Sequence, residues 1–213
     1  MINIKINLLL YLIKNNFIQI GRILMKEKFY EFIEANPIIA AVKNDEDLRQ
    51  SCLINEIKVI FILYGNICNI KSIVDKVKES GKIAIVHIDL IVGLSSKDIV
   101  VDFVKIHANV DGIISTKPSL IKRAKELGLY TVLRVFIIDS ISFKNIKSQI
   151  SSGNPDMIEI LPGLMPKVIK EVNEMIKIPI IVGGLIEDKN DILNALSAGA
   201  MSISTTNHKI WTI

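Results

Sequence analysis

The stretch Ile178–Asn207, IPIIVGGLIEDKNDILNALSAGAMSISTTN, decides the fold. One apolar run stops on Gly183 and Gly184, and a second stops on Ser204, Thr205, Thr206 and Asn207. Apolar runs of four to eight residues bounded by turn formers read as buried strands, and the intervening EDKNDILNALSAG spaces its apolar residues as a helix does. The unit is strand, helix, strand.

Working outward, the same unit recurs. Strands are expected at Pro37–Val42, Val59–Gly65, Lys82–Leu90, Asp111–Thr116, Tyr130–Ile138, Asp156–Gly163, Ile178–Gly184 and Ala200–Asn207. Helices follow them: one from Asp45 to Asn55, one ending on Gly81, one opened by Ser95, Ser96 and Asp98 as a Ser-x-x-acid cap, and one from Pro118 to Gly128. Eight strand-helix repeats without a break in composition predict a single α/β domain, a closed (β/α)8 barrel of the TIM type rather than an open doubly wound sheet. The barrel is small, since such folds typically need roughly 250 residues and only HKIWTI follows the last strand. A shortened eighth helix is expected, with an extra N-terminal helix, Lys28–Ala35, covering that gap or the barrel floor near Trp211.

The 213 residues are 50% hydrophobic but only 6% aromatic, so Ile, Leu and Val must fill the core, as they do in parallel strands buried on both faces. A net charge of +4 suits an anionic partner without marking a nucleic-acid binder. Cys52 and Cys68 form no CxxC pair and sit near no His cluster, so two reduced, buried thiols in a cytoplasmic protein are expected, with no metal site. Residues 1–24 are too short in their apolar run, Leu8–Ile13, for a membrane span, and lack a cleavage signal. They read as an extension preceding a native start at Met25, because codons for Gly21 and Arg22 can encode a ribosome-binding site; the domain is residues 25–213.

In such barrels function gathers where strands pass into the following helices. Those ends carry Lys43, His87, Asp89, Ser115, Thr116, Lys117, Arg134, Asp139 and Glu159, besides the opening stretch. Gly183 and Gly184 let a ligand oxygen approach backbone N–H groups, and Thr205, Thr206 and Asn207 add donors from the next loop, the recurrent phosphate position of this fold. The bland alternative is a tight turn. His87 and Asp89 alternate along a strand and so face one side; proton transfer, hydrogen bonds to a sugar-like ligand, and a satisfied core histidine all fit. Glu159, in the apolar MIEIL, needs a partner or a ligand, and Lys117 and Arg134 are the available cations. Lysine-rich helical runs read first as solvated faces, and no RNA-recognition motif, KH loop or aromatic platform is present.

The motifs IIAAVK, VHIDLIVGLSSKD, DGIISTKPSLIKRAKELGL, RVFIIDS, PDMIEILPGLMPKVI, IPIIVGGLI and ALSAGAMSISTTN, in this order from about Lys26 to Trp211, resemble the glycerol-3-phosphate-responsive antiterminator family. The resemblance implies a non-enzymatic cytoplasmic regulator that binds glycerol 3-phosphate in the barrel mouth, and acts on the leader mRNA of glycerol uptake operons to prevent termination and alter transcript stability. It implies Gly183, Gly184, Thr205, Thr206 and Asn207 at the phosphate. His87, Asp89, Lys117, Arg134 and Glu159 stand at the glycerol moiety or as charge partners, with no catalytic residue and no cofactor. The N-terminal segment and Leu133, where the family pattern suggests Gln, depart from it. Lys122, Arg123 and Lys125, on the basic helix Lys117–Gly128, are the RNA-binding candidates; homo-oligomerisation is left open. The competing reading is a phosphate-ester isomerase, lyase or aldolase using His87, Asp89, Lys117 or Glu159.

Overall fold

Strand-forming runs rich in Ile and Val alternate with amphipathic helices along the whole described chain, residues 29–213 of a computed structural model. The elements are α1 (residues 29–35), β1 (Ile38–Val42), α2 (Asp45–Leu53), β2 (Val59–Ile62), α3 (Ile70–Glu79), β3 (Ile83–His87), α4 (Ile99–Phe103), β4 (Gly112–Ser115), α5 (Pro118–Glu126), β5 (Tyr130–Phe136), α6 (Ser140–Gly153), β6 (Met157–Leu161), α7 (Pro166–Met175), β7 (Ile180–Gly183), α8 (Lys189–Ser197) and β8 (Ser202–Thr205). All eight strands pair in parallel with their sequence neighbours, and β8 closes on β1 with Ile39 opposite Ser204. The expected barrel is therefore present. The proposed extension, residues 1–24, and the start at Met25 lie outside the described residues.

Period-two alternation divides the core in two. One side of each strand supplies an inner cluster that includes Ile39, Phe61, Ile85, Ile114, Val132 and Ile181, and the other side packs against the helices. Each fully buried Ile or Leu stabilises by about 1.5–3 kcal/mol, so the aliphatic composition is what holds the barrel. Of the two places considered for the N-terminal helix, the floor is the occupied one: α1 sends Phe29 and Ile33 into the inner cluster, with the Phe29 ring centroid 5.2 Å from that of Tyr130. Trp211 is not beside it. The indole lies in the outer layer, where residues 208–212 form only turns in place of an eighth helix, and its Nε1 donates to Thr205 O at 2.9 Å.

Three local expectations are corrected. β3 ends at His87, and Ile88–Leu90 form a turn of 3₁₀ helix, so Asp89 does not continue the strand alternation. The helix after it begins at Ile99 with Asp98 as N-cap, and the Ser95 cap does not form; Ser95 Oγ instead accepts from Lys97 N. The thiols are free, as expected, but Cys68 is exposed and Cys52 half-buried, because both lie on the helical layer and its connections rather than in the strands.

Candidate functional site

The end of β7 explains why the apolar run stops on glycine. Gly183 stands opposite Ser204 in the β7–β8 register, and a Cβ there would fall 2.3 Å from Ser204 Oγ and 3.1 Å from Glu159 Oε1. The space is taken by a hydrogen bond in which Ser204 Oγ donates to Glu159 Oε1. Gly184 has a different reason, a φ of +74°, and Leu185 follows at +63°. The chain thus turns sharply away from the barrel immediately after the strand.

A cavity of about 300 Å³ opens at this rim, and its lining includes Ala41, Leu63, Arg134, Glu159, Gly184 to Glu187, and Ser204 to Asn207. Among the described residues, the backbone N–H groups of Leu185 and Thr206 have no acceptor. The start of α8 carries a reciprocal cap: Asp188 accepts from Asp191 N, and Asp191 accepts from Glu187 N and Asp188 N. Asn207 joins the two loops, its N–H donating to Thr205 Oγ1 at 3.1 Å and its Nδ2 to Glu187 O at 3.3 Å.

The cavity floor carries one ion pair. Arg134 and Glu159 are register partners on β5 and β6, with Arg134 Nε donating to Glu159 Oε2 at 2.6 Å. The side chains are 9% and 0% exposed. Of the two cations available by sequence, the register selects Arg134, because Lys117 sits two strand positions around the barrel. Both oxygens of Glu159 are consumed by protein donors, one from Arg134 and one from Ser204. The terminal nitrogens of Arg134 bond no protein group among the described residues and are not sealed from solvent; they open into the cavity. The guanidinium presents a planar fork of donors suited to an oxyanion.

His87, Asp89 and Lys117 do not line this cavity. His87, 3% exposed, follows Ile83 and Ile85 toward the barrel interior, and its Nδ1 has no hydrogen-bond partner among the described residues. Burial first, and the Arg134 charge second, push its pKa down to about 4, so the ring is neutral at pH 7. Asp89 accepts from Ser115 Oγ, Thr116 N and Thr116 Oγ1, which fastens the β3 turn to the β4 loop. Lys117 Nζ donates to Ser96 Oγ at 2.6 Å and lies 3.7 Å from Asp89 Oδ1. Asp89, Ser115, Thr116, Lys117 and Ser96 form a separate polar network. The opening stretch therefore brings Gly184, Thr205, Thr206 and Asn207 together with Arg134 and Glu159, while Gly183 stands behind them as a spacer.

The basic helix α5 is largely neutralised. Arg123 donates from Nε and Nη2 to Asp102 and from Nη1 to Glu126, and Lys125 Nζ lies 3.2 Å from Asp156 Oδ1. Only Lys122 of the three RNA-binding candidates is exposed. Sequence reasoning did not single out Ala41, Leu63, Leu185, Ile186 or Glu187 for the cavity. The last three follow directly on the Gly-Gly pair, a signal that was there to be used; Ala41 and Leu63 carry none.

Fold and site define a (β/α)8 barrel with a polar cavity built by the loops after β7 and β8 over a buried Arg-Glu pair. Residues 38–211 match the family model described as glycerol-3-phosphate responsive antiterminator, and the chain belongs to that family. It is 49% identical over 181 residues to the YgcP protein of Escherichia coli K12, covering 85% of this chain and 94% of that one. The glycerol uptake operon antiterminator regulatory protein of Listeria monocytogenes superposes with a TM-score of 0.80 at 30% identity, covering 83% of this chain and 95% of that one. A glycerol uptake operon antiterminator-related protein of Thermotoga maritima gives 0.74 at 31%, covering 83% and 98%.

Proposed function

We propose that the cavity binds glycerol 3-phosphate, and that occupancy controls the action of this protein on the leader mRNA of glycerol-utilisation genes, preventing premature termination. The observation that carries the ligand half is the meeting, in one cavity lining, of unsatisfied loop amides at Leu185 and Thr206 with the Arg134 fork. Such donors favour an oxyanion without requiring proton transfer. Glu159 has a positioning role in this reading: it holds Arg134 by Nε and leaves the terminal nitrogens to the ligand.

A regulator is favoured over an isomerase, lyase or aldolase by what the cavity omits. Among the described residues no lysine lines it, His87 and Asp89 are not in its lining, and each oxygen of Glu159 already accepts from a protein donor. None of the sequence-level acid, base or amine candidates is free to meet a reacting atom there. To act as a switch, the ligand must bind one state of the protein more tightly than another.

The test is calorimetric titration with glycerol 3-phosphate, glycerol and inorganic phosphate, followed by leader-RNA binding at fixed salt with and without the ligand. Saturable binding of glycerol 3-phosphate that is lost in Arg134→Gln, with a ligand-dependent change in RNA affinity, is the expected outcome. Binding undiminished by Arg134→Gln refutes the site, and turnover of the ligand refutes the regulatory reading.

A further inference from the structure

α6 is the one α-helix among the described residues with no Asp or Glu within its bounds; α1 to α5, α7 and α8 each carry at least one. Over its 14 residues, Phe143, Ile146 and Ile150 pack against the core. The opposite face presents Lys144, Asn145, Lys147, Ser148, Ser151 and Ser152, all exposed. Lys144 and Lys147 lie one turn apart on that face, and neither has a carboxylate partner among the described residues. The nearest acid along the chain, Asp139, is occupied as the N-cap, accepting from Ile141 N and Ser142 N. On the flanking α5, Lys122 is exposed and adds a further cation, while Glu126 is paired with Arg123.

The head of the same helix is apolar. Phe136 is 50% exposed, Ile138 82% and Ile141 67%. A cationic face with no acid and an exposed aromatic ring at one end matches a polyanion that also carries flat apolar surfaces. Single-stranded RNA has both, phosphates for the lysines and bases for the ring. Phe136 follows Arg134 by two residues on β5 and so shares its side of the strand, at the barrel rim four residues before α6 begins.

We propose that Phe136 and the outer face of α6, through Lys144 and Lys147 with Lys122 at the flank, form the surface on which single-stranded leader RNA docks. This rests on the antiterminator reading above, and it relocates the RNA contact from α5, where Arg123 and Lys125 are neutralised, to α6.

The experiment measures binding of the fluorescein-labelled leader transcript of the host's glycerol-kinase gene across a salt series with saturating glycerol 3-phosphate, using wild type, Lys144→Gln/Lys147→Gln, Phe136→Ala, and Lys71→Gln/Lys76→Gln on α3 as an equal-charge control. The α6 pair should lower the slope of log K against log salt by about 1.4, two single-strand phosphate contacts. Phe136→Ala should weaken binding about fivefold or more, the loss of one stacked base, with the slope unchanged. The control should retain the wild-type slope. Wild type that binds RNA while the α6 pair behaves as the α3 control overturns this surface alone. Wild type that binds glycerol 3-phosphate but no RNA overturns the antiterminator reading and the surface with it. Anionic phosphatidylserine vesicles that bind wild type and release the α6 variants, with RNA binding undisturbed, assign the face to a membrane instead.

Discussion

Glu159→Leu removes one half of the buried pair at similar volume, so cavity formation contributes little to its effect. The guanidinium of Arg134, 9% exposed, then keeps its charge and loses the acceptor of its Nε, while Ser204 Oγ loses the oxygen it donates to. Breaking one side of a buried ion pair costs about 3–5 kcal/mol. For a chain of this size that corresponds to a drop in Tm of about 6–20 °C, taking about 2–4 °C per kcal/mol. Arg134→Met should cost a comparable amount by stranding the carboxylate. The double variant Arg134→Met/Glu159→Leu, with neither charge left, should recover most of the loss, so that the coupling energy exceeds the cost of either single variant. Urea unfolding of the four proteins at one pH, with the m-value held constant, measures each corner of the cycle. A Glu159→Leu penalty below about 1 kcal/mol, or a double variant as unstable as the sum of the singles, would refute the view that the two side chains act as one buried unit.

The two adjacent glycines should respond differently. Gly183→Ala, which drives a Cβ to 2.3 Å from Ser204 Oγ, should cost about 2–5 kcal/mol from overpacking and a lost charge-assisted hydrogen bond. Gly184→Ala, with ordinary contact to Leu161 at 3.4 Å and a positive φ, should cost only about 1 kcal/mol; equal urea midpoints for the two would count against the spacer role. His87 sets a pH dependence. Its pKa, lowered from 6.5 to about 4 in the folded chain, means that the unfolded chain binds the extra proton between those values. Stability is therefore full above about pH 6.5 and falls by about 2 kcal/mol by pH 5. A His87→Gln protein should lose correspondingly less between pH 7.5 and pH 5, and identical losses in both would remove His87 as the cause.

Most of the architecture was legible because parallel strands and amphipathic helices write their periods directly into the chain, and Gly183-Gly184 and Thr205-Thr206-Asn207 marked two loops that line one cavity. The misreadings share a cause. Alternation tells which way a side chain points only while the strand lasts, and β3 gives way to a 3₁₀ turn at Ile88, which carried Asp89 to the β4 loop. Likewise the lysine-rich segment of α5 shows its charges in sequence, but Asp102 and Asp156, which take up Arg123 and Lys125, arrive from other elements. The double duty of Glu159 was hidden for the same reason: it depends on a register across β5, β6 and β8 that no local pattern records.

The strand order has a consequence for synthesis. The cavity draws on the ends of β1, β2 and β5 through β8, and β8, the latest strand in chain order, both completes the ring with β1 and delivers Thr205 to Asn207. A nascent chain whose β8 is still within the ribosome has an open sheet, an unpaired Ser204 position and no second wall for a ligand. The cavity is complete only after the last strand has emerged, so a truncated or half-made copy lacks one of its walls.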